Sequence, residues 1–538
     1  MKFAKVAIPD LTAALHQRGF SYLKRDELGW MRFAGELRLK AKNYPCELAI
    51  SPGLDEFPRV WLTPVPPGRP ELLPHLSASG YLCYLALGSV IFDFFDPIRQ
   101  TMACLNRAEE VLEDILAGKM VEDLAEEFHV TWGGGWCLLD VNERRPGRLE
   151  AYTFGAKVSL VTDDKVRTHA KLEAIGLGLP RIELSAFRVL THSRPMPSQE
   201  SWPPRTVQAL LKWQNTLDPR CSKKIEQHLL EMFREKAPRV LVLIDSPMVQ
   251  YGVEVELTRE PTVPGKVPPL REMLYRLPVR RITVCPIDDQ YLAERNLPGA
   301  RTLAGLKVAL VGCGTIGGYL AEMLAKAGAG IVGGRLTLVD LGTFEPPNLG
   351  RHRLGFNALM MGKAEAMRDE LRRVAPGIEV VAFNRDIKTV DLGPIDLLID
   401  ATGEQGLTDW LTWAYSDKVP FLATWIEGAG AAVRALMKAN PEHACARCVS
   451  QPPLRDQYRV FDVPTKVVMK GHGCEGLYVP FPAAASMQAA ALAMEMVQAW
   501  LDGGETPSFR TRVLDQSQTI NFKDCTPLRY QGCPACAT

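Results

Sequence analysis

Thirteen of the 538 residues are cysteines, and six of them stand where a thiol can do chemistry. Cys445-Ala-Arg-Cys448 and Cys533-Pro-Ala-Cys536 are two C-x-x-C pairs. One such turn can bind an ion through both thiolates, and two turns complete a tetrahedral Zn²⁺ site. The 84 residues between the pairs exceed the gap of a zinc ribbon. Spacing alone therefore leaves open a shared ion, unliganded thiols, or a redox pair at CPAC. Cys474 lies in KGHGCEGLYV, bracketed by glycines and followed by an Ala-rich helical run. A thiol on such a loop near a helix start has room for a substrate tail and a lowered pKa. Cys83 lies in PHLSASGYLCYLAL, before a long helical pattern. For each of these two, the competing reading is a buried small apolar residue.

A glycine-rich turn adds a second kind of chemistry. The run KVALV leads straight into Gly312-Cys313-Gly314-Thr315-Ile316-Gly317, where a helical pattern opens. The first glycine permits the tight turn, the second a close approach to phosphate, and the third helix-to-strand packing. Free N–H groups at the helix start then face an anion. The next strand ends in Asp340, where a carboxylate can bind ribose hydroxyls. Taken alone, this predicts NAD, FAD or ATP, or a tight turn with no ligand. Asn348, Arg351 and Lys363 follow as a polar and basic set. A triphosphate developing negative charge needs such a set and a nicotinamide does not, so ATP is favoured.

Three stretches must position these groups. Residues 1–125 read as α+β: a helix DLTAALHQRG capped by Asp10 and closed by Gly19, strands LRLKA, YPCELAIS and RVWLTPV, then a long helix ending at Gly118. Residues 126–290 read as an α/β linker domain, with strands TWGGGWCLLDV, KVSLVTD and RVLVLIDSP and a helix KIEQHLLEMFREKA. Its Pro-rich stretches PMPSQESWPPR and REPTVPGKVPPLRE suggest long connections or tethers. No catalytic signature stands out there. Residues 291–538 alternate strand and helix, the pattern of a doubly wound, mostly parallel, Rossmann-like sheet.

Composition bounds the partners. With 63 basic and 62 acidic residues the net charge is +1, which gives no electrostatic reason to expect nucleic acid or a membrane surface. Hydrophobic residues at 46% and charged residues at 23% exclude a largely disordered chain. The apolar run YLCYLALGSVIF stops at Asp93, short of the roughly 20 residues that span a bilayer. The start MKFAKVAIPDLTAAL has no apolar signal core. The expectation is a cytoplasmic protein, where thiols stay reduced.

From about residue 295 to 538 the sequence resembles the ThiF/MoeB/ubiquitin-activating superfamily of adenylating enzymes. The matching segments are VGCGTIGGYLAEMLAKAG, LTLVD, NLGRH and GKAEAM. The resemblance implies an ATP site, with Asp340 on the ribose, Arg351 and Lys363 on the phosphates, and Asn348 beside them. It also implies that Cys445, Cys448, Cys533 and Cys536 share one structural Zn²⁺, and that Cys474 lies on the catalytic-cysteine loop. Two positions depart from the pattern. A usual acid is replaced by Gly342, and the usual metal-binding acid falls on Gly403, so Asp400 or Glu404 would bind Mg²⁺ instead.

Residues 1–125 resemble ubiquitin-conjugating enzymes through His75, Gly80 and Cys83. The Asn of that family's His-Pro-Asn loop has no counterpart, leaving Ser77, Ser79 or a backbone N–H as oxyanion donor. The fusion is similar to the ligases of bacterial CBASS antiphage operons. That resemblance implies a relay: adenylation of a protein C-terminus, a thioester on Cys474, transfer to Cys83, and an isopeptide on a target lysine. It further implies a cGAS-like nucleotidyltransferase as donor and a homodimer through the adenylation domain. Two other readings are a MoeB/ThiF-type activator of a sulfur carrier, which would not need Cys83, and a silent scaffold that kept the ATP fold.

Overall fold

An apolar stripe of Ala7, Ile8, Leu11 and Leu15 sets the first helix, Lys2–Gln17. The stripe runs straight through Pro9, so Asp10, the expected cap, lies inside the helix and is exposed. The computed structural model describes residues 2–65, 72–86, 88–142, 145–154, 158–177, 182–198, 202–257, 269–451, 455–461, 478–504, 507–517 and 522–536. The chain forms two compact units: Met1–Leu138 with Arg145–Val161 and Arg181–Cys285, and Leu139–Arg144 with Thr162–Pro180 and Pro286–Thr538. No helix among the described residues is long and apolar enough to cross a membrane.

In the first unit, strands β1 (Ser21–Arg25), β2 (Met31–Arg38), β3 (Asn43–Ile50), β4 (Arg59–Leu62) and β5 (Tyr81–Leu82) form an antiparallel meander in chain order. The helix Pro97–Leu116 starts on Pro97, with the Asp96 side chain accepting the Arg99 N–H. It buries Leu105, Ala108, Leu112 and Ile115 in one core with Phe33, Leu48 and Leu62. Each such buried leucine or isoleucine contributes about 1.5–3 kcal/mol. Among the described residues of the run YLCYLAL, Tyr81 and Leu82 form the strand pairing, which leaves Cys83 just past a strand end.

The middle of the chain builds a closed seven-stranded barrel, an architecture its sequence did not announce. Strands β6 (Gly135–Asp140), β7 (Gly147–Phe154), β8 (Val158–Thr162), β9 (Ile182–Leu190), β10 (Arg239–Asp245), β11 (Gln250–Glu256) and β12 (Val279–Pro286) close in the order β10-β11-β12-β6-β8-β7-β9. The helix Pro219–Arg234 is capped by Asp218 and packs Ile225, Leu229 and Phe233 into this core. Trp202 is buried, its ring 5.6 Å from Trp132 and 5.1 Å from Trp213. The described part of PMPSQESWPPR is thus packed and does not act as a tether. Most of the second Pro-rich stretch lies outside the described residues.

The second unit is built on seven strands: β13 (Lys307–Val311), β14 (Arg335–Val339), β15 (Val380–Phe383), β16 (Leu397–Asp400), β17 (Phe421–Glu427), β18 (Ala432–Lys438) and β19 (Phe509–Val513). Their order is β15-β14-β13-β16-β17-β18-β19. The first five are parallel, and β18 and β19 add antiparallel. Strand order reverses beside β13, where the crevice at the carboxyl ends opens. One face packs Val308, Leu310 and Leu338 with helices Thr315–Lys326, Lys363–Val374 and Ala483–Leu501. The other packs Ala309, Val311 and Leu398 with helix Gln405–Tyr415 and the cysteine pairs. Fully buried Asp140 accepts from Lys171 (2.7 Å), Arg167 Nε (3.2 Å) and the Thr168 hydroxyl (2.5 Å), and Lys171 also pairs with Asp289 at 2.8 Å.

Candidate active sites

At the end of β13 the chain turns through Gly312 at φ +88°, where a Cβ would come within 2.9 Å of the Thr402 nitrogen. A Cβ on Gly317 would run into the Gly312 carbonyl, so the helix can begin this close to the strand only with glycine there. Gly314 has nothing within 4 Å of its Cβ position and opens onto a cleft of about 760 Å³. Gly312, Gly314, Thr315, Asp340, Lys363 and Glu404 line that cleft. Asp340 holds the turn in shape: Oδ2 accepts the Cys313 N–H and Oδ1 the Gly342 N–H, both at 2.7 Å. Each oxygen keeps a lone pair for a further donor. The Lys363 ammonium lies over Gly342, 3.1 Å from where a Cβ would stand. The cleft therefore presents bare N–H groups, a cation and a carboxylate at one helix start, which suits a nucleotide phosphate chain.

Not every predicted residue reaches the cleft. Gly317 serves packing. Asn348 Oδ1 accepts the Glu345 N–H at 3.0 Å and caps the turn Pro346–Asn348. The Arg351 guanidinium lies 4.5 Å from the Phe481 ring and 3.4 Å from the Val479 carbonyl, and those two residues form one wall of the cleft. Asp400 is buried at the end of β16, accepting from Thr402 Oγ1 (2.7 Å), Thr402 N–H (2.9 Å) and Thr408 Oγ1 (2.5 Å). Burial raises its pKa despite those bonds. Of the two acids weighed for Mg²⁺, Glu404 is the one that lines the cleft, and its N–H donates to Thr402 Oγ1 at 3.3 Å.

The first unit holds a separate thiol site. Cys83 donates its N–H to the His75 carbonyl at 2.8 Å, across a hairpin that turns at Gly80, φ +84°. The His75 ring sits between Glu127 (Nδ1–Oε1, 2.7 Å) and Asp123 (Nε2–Oδ2, 2.9 Å). The Glu127 hydrogen bond, with Asp123 adding to it against burial, pushes the imidazole pKa up to about 9. Burial pushes the Cys83 thiol pKa up, and the charge of Glu127 adds to this. Ser77 Oγ accepts the Tyr81 N–H and lies 2.9 Å from Ser79 Oγ, so both hydroxyls take part in the turn.

The two C-x-x-C pairs meet. Sγ of Cys445 is 3.6 Å from those of Cys448 and Cys533, and Cys448 Sγ is 3.5 Å from that of Cys536. Tetrahedral Zn–S bonds of about 2.3 Å place sulfurs about 3.8 Å apart. All four thiols are buried, and the Tyr530 N–H points at Cys448 Sγ at 3.4 Å. The cluster thus fits a Zn²⁺ and would tie the chain end to the region after β18.

These sites can be set beside known proteins. The ThiF family matches residues 289–535, and the prokaryotic E2 family B matches residues 33–134. The ATP-dependent ubiquitin transferase-like protein Cap2 of Pseudomonas aeruginosa is 45% identical over 536 residues, which is 98% of this chain and 99% of the relative. The chain belongs to the Cap2 family. A Cap2 from Escherichia coli is 24% identical, covering 89% of each chain. The molybdopterin-synthase adenylyltransferase of E. coli is 27% identical over 252 residues, 45% of this chain and 91% of the relative.

In this Cap2-family chain the predicted Cys474 lies outside the described residues. Three groups of site residues escaped the sequence reading. His352 is buried behind the glycine turn, with Nε2 2.7 Å from the Cys313 carbonyl and Nδ1 accepting the Leu354 N–H at 3.0 Å. Thr402 and Thr408 hold Asp400. Asp123 and Glu127 hold His75 from 48 and 52 residues away. His352 sits in the quoted NLGRH block and offered a signal; the other contacts arise only from the fold.

Proposed function

We propose that this Cap2-family chain is an ATP-dependent protein ligase. ATP binds in the Gly312–Gly317 cleft, with Asp340 taking ribose hydroxyls and the helix start taking phosphate. A protein C-terminal carboxylate attacks the α-phosphorus, pyrophosphate leaves, and an acyl-adenylate remains. Lys363 in the cleft and Arg351 at its wall counter the charge that develops. The Cys474 thiolate displaces AMP to give a thioester. The Cys83 thiolate displaces Cys474, and a lysine amine then displaces Cys83 to leave an isopeptide. Two sites on one polypeptide give the handover a high effective concentration.

The metal assignments follow the donor sets. Mg²⁺ takes one or two carboxylates plus phosphate oxygens. Glu404 supplies the open carboxylate, and Asp400, engaged by two threonines, positions it through Thr402. Glu404→Gln then weakens Mn²⁺ binding to the ATP-loaded chain about tenfold by electron paramagnetic resonance. Asp400→Asn weakens it less. Zn²⁺ at the cysteine tetrad is structural. The donor we assign is a cGAS-like nucleotidyltransferase, with the ligase a cytoplasmic homodimer through its adenylation domain.

The observation that carries this reading is the pairing of an open glycine-turn cleft and a half-buried thiol hairpin in a chain 45% identical to a Cap2 along 98% of its length. The test is incubation with ATP, Mg²⁺ and a nucleotidyltransferase bearing a glycine-ending tail, followed by a non-reducing gel. Two thiol-sensitive adducts are expected. Cys83→Ala removes one and Cys474→Ala removes both. No adduct and no ATP–pyrophosphate exchange would refute the ligase. The match of the adenylation half to a molybdopterin-synthase adenylyltransferase favours a second reading, activation of a sulfur carrier. Exchange stimulated by a sulfur carrier, with no adduct on Cys83, would select it.

A further inference from the structure

Two carboxylates that the relay does not use close on one imidazole beside Cys83. Glu127 grips His75 twice: Oε1 takes the ring at Nδ1 (2.7 Å) and Oε2 takes the backbone N–H (2.9 Å). Asp123 Oδ2 takes Nε2 at 2.9 Å. Both acids come from the short turns that follow the long helix, Asp123–Glu126 and its C-cap Glu127. His75 has φ +60°, a left-handed conformation that a non-glycine residue keeps only when its surroundings hold it. From there the chain runs into the hairpin. Leu76 bridges to Leu82, the Ser77 N–H donates to the Tyr81 carbonyl at 2.9 Å, and the Cys83 N–H donates to the His75 carbonyl at 2.8 Å.

We propose that Glu127 is the positioning residue for Cys83: by gripping His75 at ring and backbone, it fixes the hairpin that presents the thiol. The proposal rests on the reading that Cys83 carries the acyl group. His75 does not itself meet the substrate oxyanion, because carboxylates already take both ring nitrogens. The ring faces Asp123 and Glu127; the thiol faces Glu127, with Tyr81 beside it. Only a protonated ring can donate to both acids at once. A neutral ring turns a lone pair toward one of them and loosens the grip. Glu127 contributes more than Asp123 to holding that proton. The grip is therefore present below the imidazole's pKa of about 9 and lost as pH rises through it.

The test uses the full chain. Hydrogen exchange of the hairpin amides, corrected for intrinsic rates, is followed from pH 6.5 to 10. In the wild type, protection falls progressively above about pH 6.5, the ordinary histidine value, and the fall ends in a break near pH 9, about tenfold or more in all. In Glu127→Gln that break moves down toward the ordinary histidine value and the fall shrinks, and in Asp123→Asn it moves less. Because Glu127 no longer opposes the thiolate, Glu127→Gln also raises iodoacetamide labelling of Cys83 at pH 7.5 by roughly threefold. A purely architectural role would change protection without moving its pH break. A break that stays put in Glu127→Gln, a larger shift in Asp123→Asn, or no break at all overturns the proposal. If Glu127→Gln melts early, Asp123→Asn still reports the break and its direction. If no acyl adduct forms on Cys83, the relay fails while these profiles still read the clamp.

Discussion

His352 supports the glycine turn from behind, and its protonation should unseat the second unit. The imidazole is 5% exposed. Because Nδ1 accepts the Leu354 N–H at 3.0 Å, the ring proton lies on Nε2, which donates to the Cys313 carbonyl at 2.7 Å. A second proton would turn Nδ1 against an N–H. Burial, outweighing the Cys313 bond and aided by the Lys363 charge, holds the pKa down from 6.5 to about 4. The unfolded chain therefore binds a proton that the folded chain refuses. The stability this contributes is complete above pH 6.5 and lost as pH falls toward 4, a loss of roughly 3 kcal/mol. At about 2–4 °C per kcal/mol, the second unit's melting temperature should fall by roughly 6–12 °C from this group alone. His352→Gln isolates the effect. Glutamine can still donate to Cys313 but leaves the Leu354 N–H unpaired, costing about 1–3 kcal/mol at pH 7.5. It has no proton to gain. Calorimetry at pH 7.5 and 4.5 should find the variant less stable at the higher pH but with a smaller drop between the two. Carboxylates and the thiol cluster act in both proteins and cancel. Equal drops in the two proteins would refute the reasoning.

Gly317→Ala puts a methyl against the Gly312 carbonyl, backbone to backbone. The turn must open, and ATP affinity by calorimetric titration should fall about tenfold or more. The cysteine tetrad predicts one zinc per chain by native mass spectrometry; Cys448→Ser should lose most of it, and chelation should lower the melting temperature of the second unit. Asp140→Asn leaves Arg167 and Lys171 without their shared carboxylate at a fully buried site. Urea denaturation should report a loss of about 3–5 kcal/mol, and a loss under ~1 kcal/mol would show that the pair carries little.

What the sequence could tell depended on how local each signal was. The strand KVALV abuts its glycine turn, and Asp340 closes the next strand, so neighbours in sequence are neighbours in the cleft. The barrel offers no such shortcut: β6 pairs with β12, and β10 closes the ring on β9, across long intervening helices. The helix expected to start at Asp10 instead begins at Lys2, because packing of Ala7 and Ile8 against the core outweighs the hydrogen bond that Pro9 cannot make. Asp400 and Glu404 are four residues apart, and no periodicity says which turns into the cleft. The threonines that bind Asp400 decide it, since they satisfy one carboxylate and leave the other to the cleft.

The same dependence on surroundings sorts the cysteines. Burial pushes Cys46 and Cys221 up to about 12 and Cys313 well above its ordinary value, so these thiols stay protonated and inert. Cys83 is only half-buried, and its pKa is raised by burial and by Glu127. In the proposed relay that elevation has a direction. A more basic thiolate is a stronger nucleophile and a poorer leaving group than one of low pKa. Transfer onto Cys83 from any thiol of lower pKa therefore runs downhill, and the raised Cys83 pKa favours the acyl group resting there until an amine arrives. Lowering the Cys83 pKa by Glu127→Gln should then speed its resting-state alkylation while shifting the acyl equilibrium back toward Cys474, and tandem mass spectrometry of the two charged cysteines would measure that ratio directly.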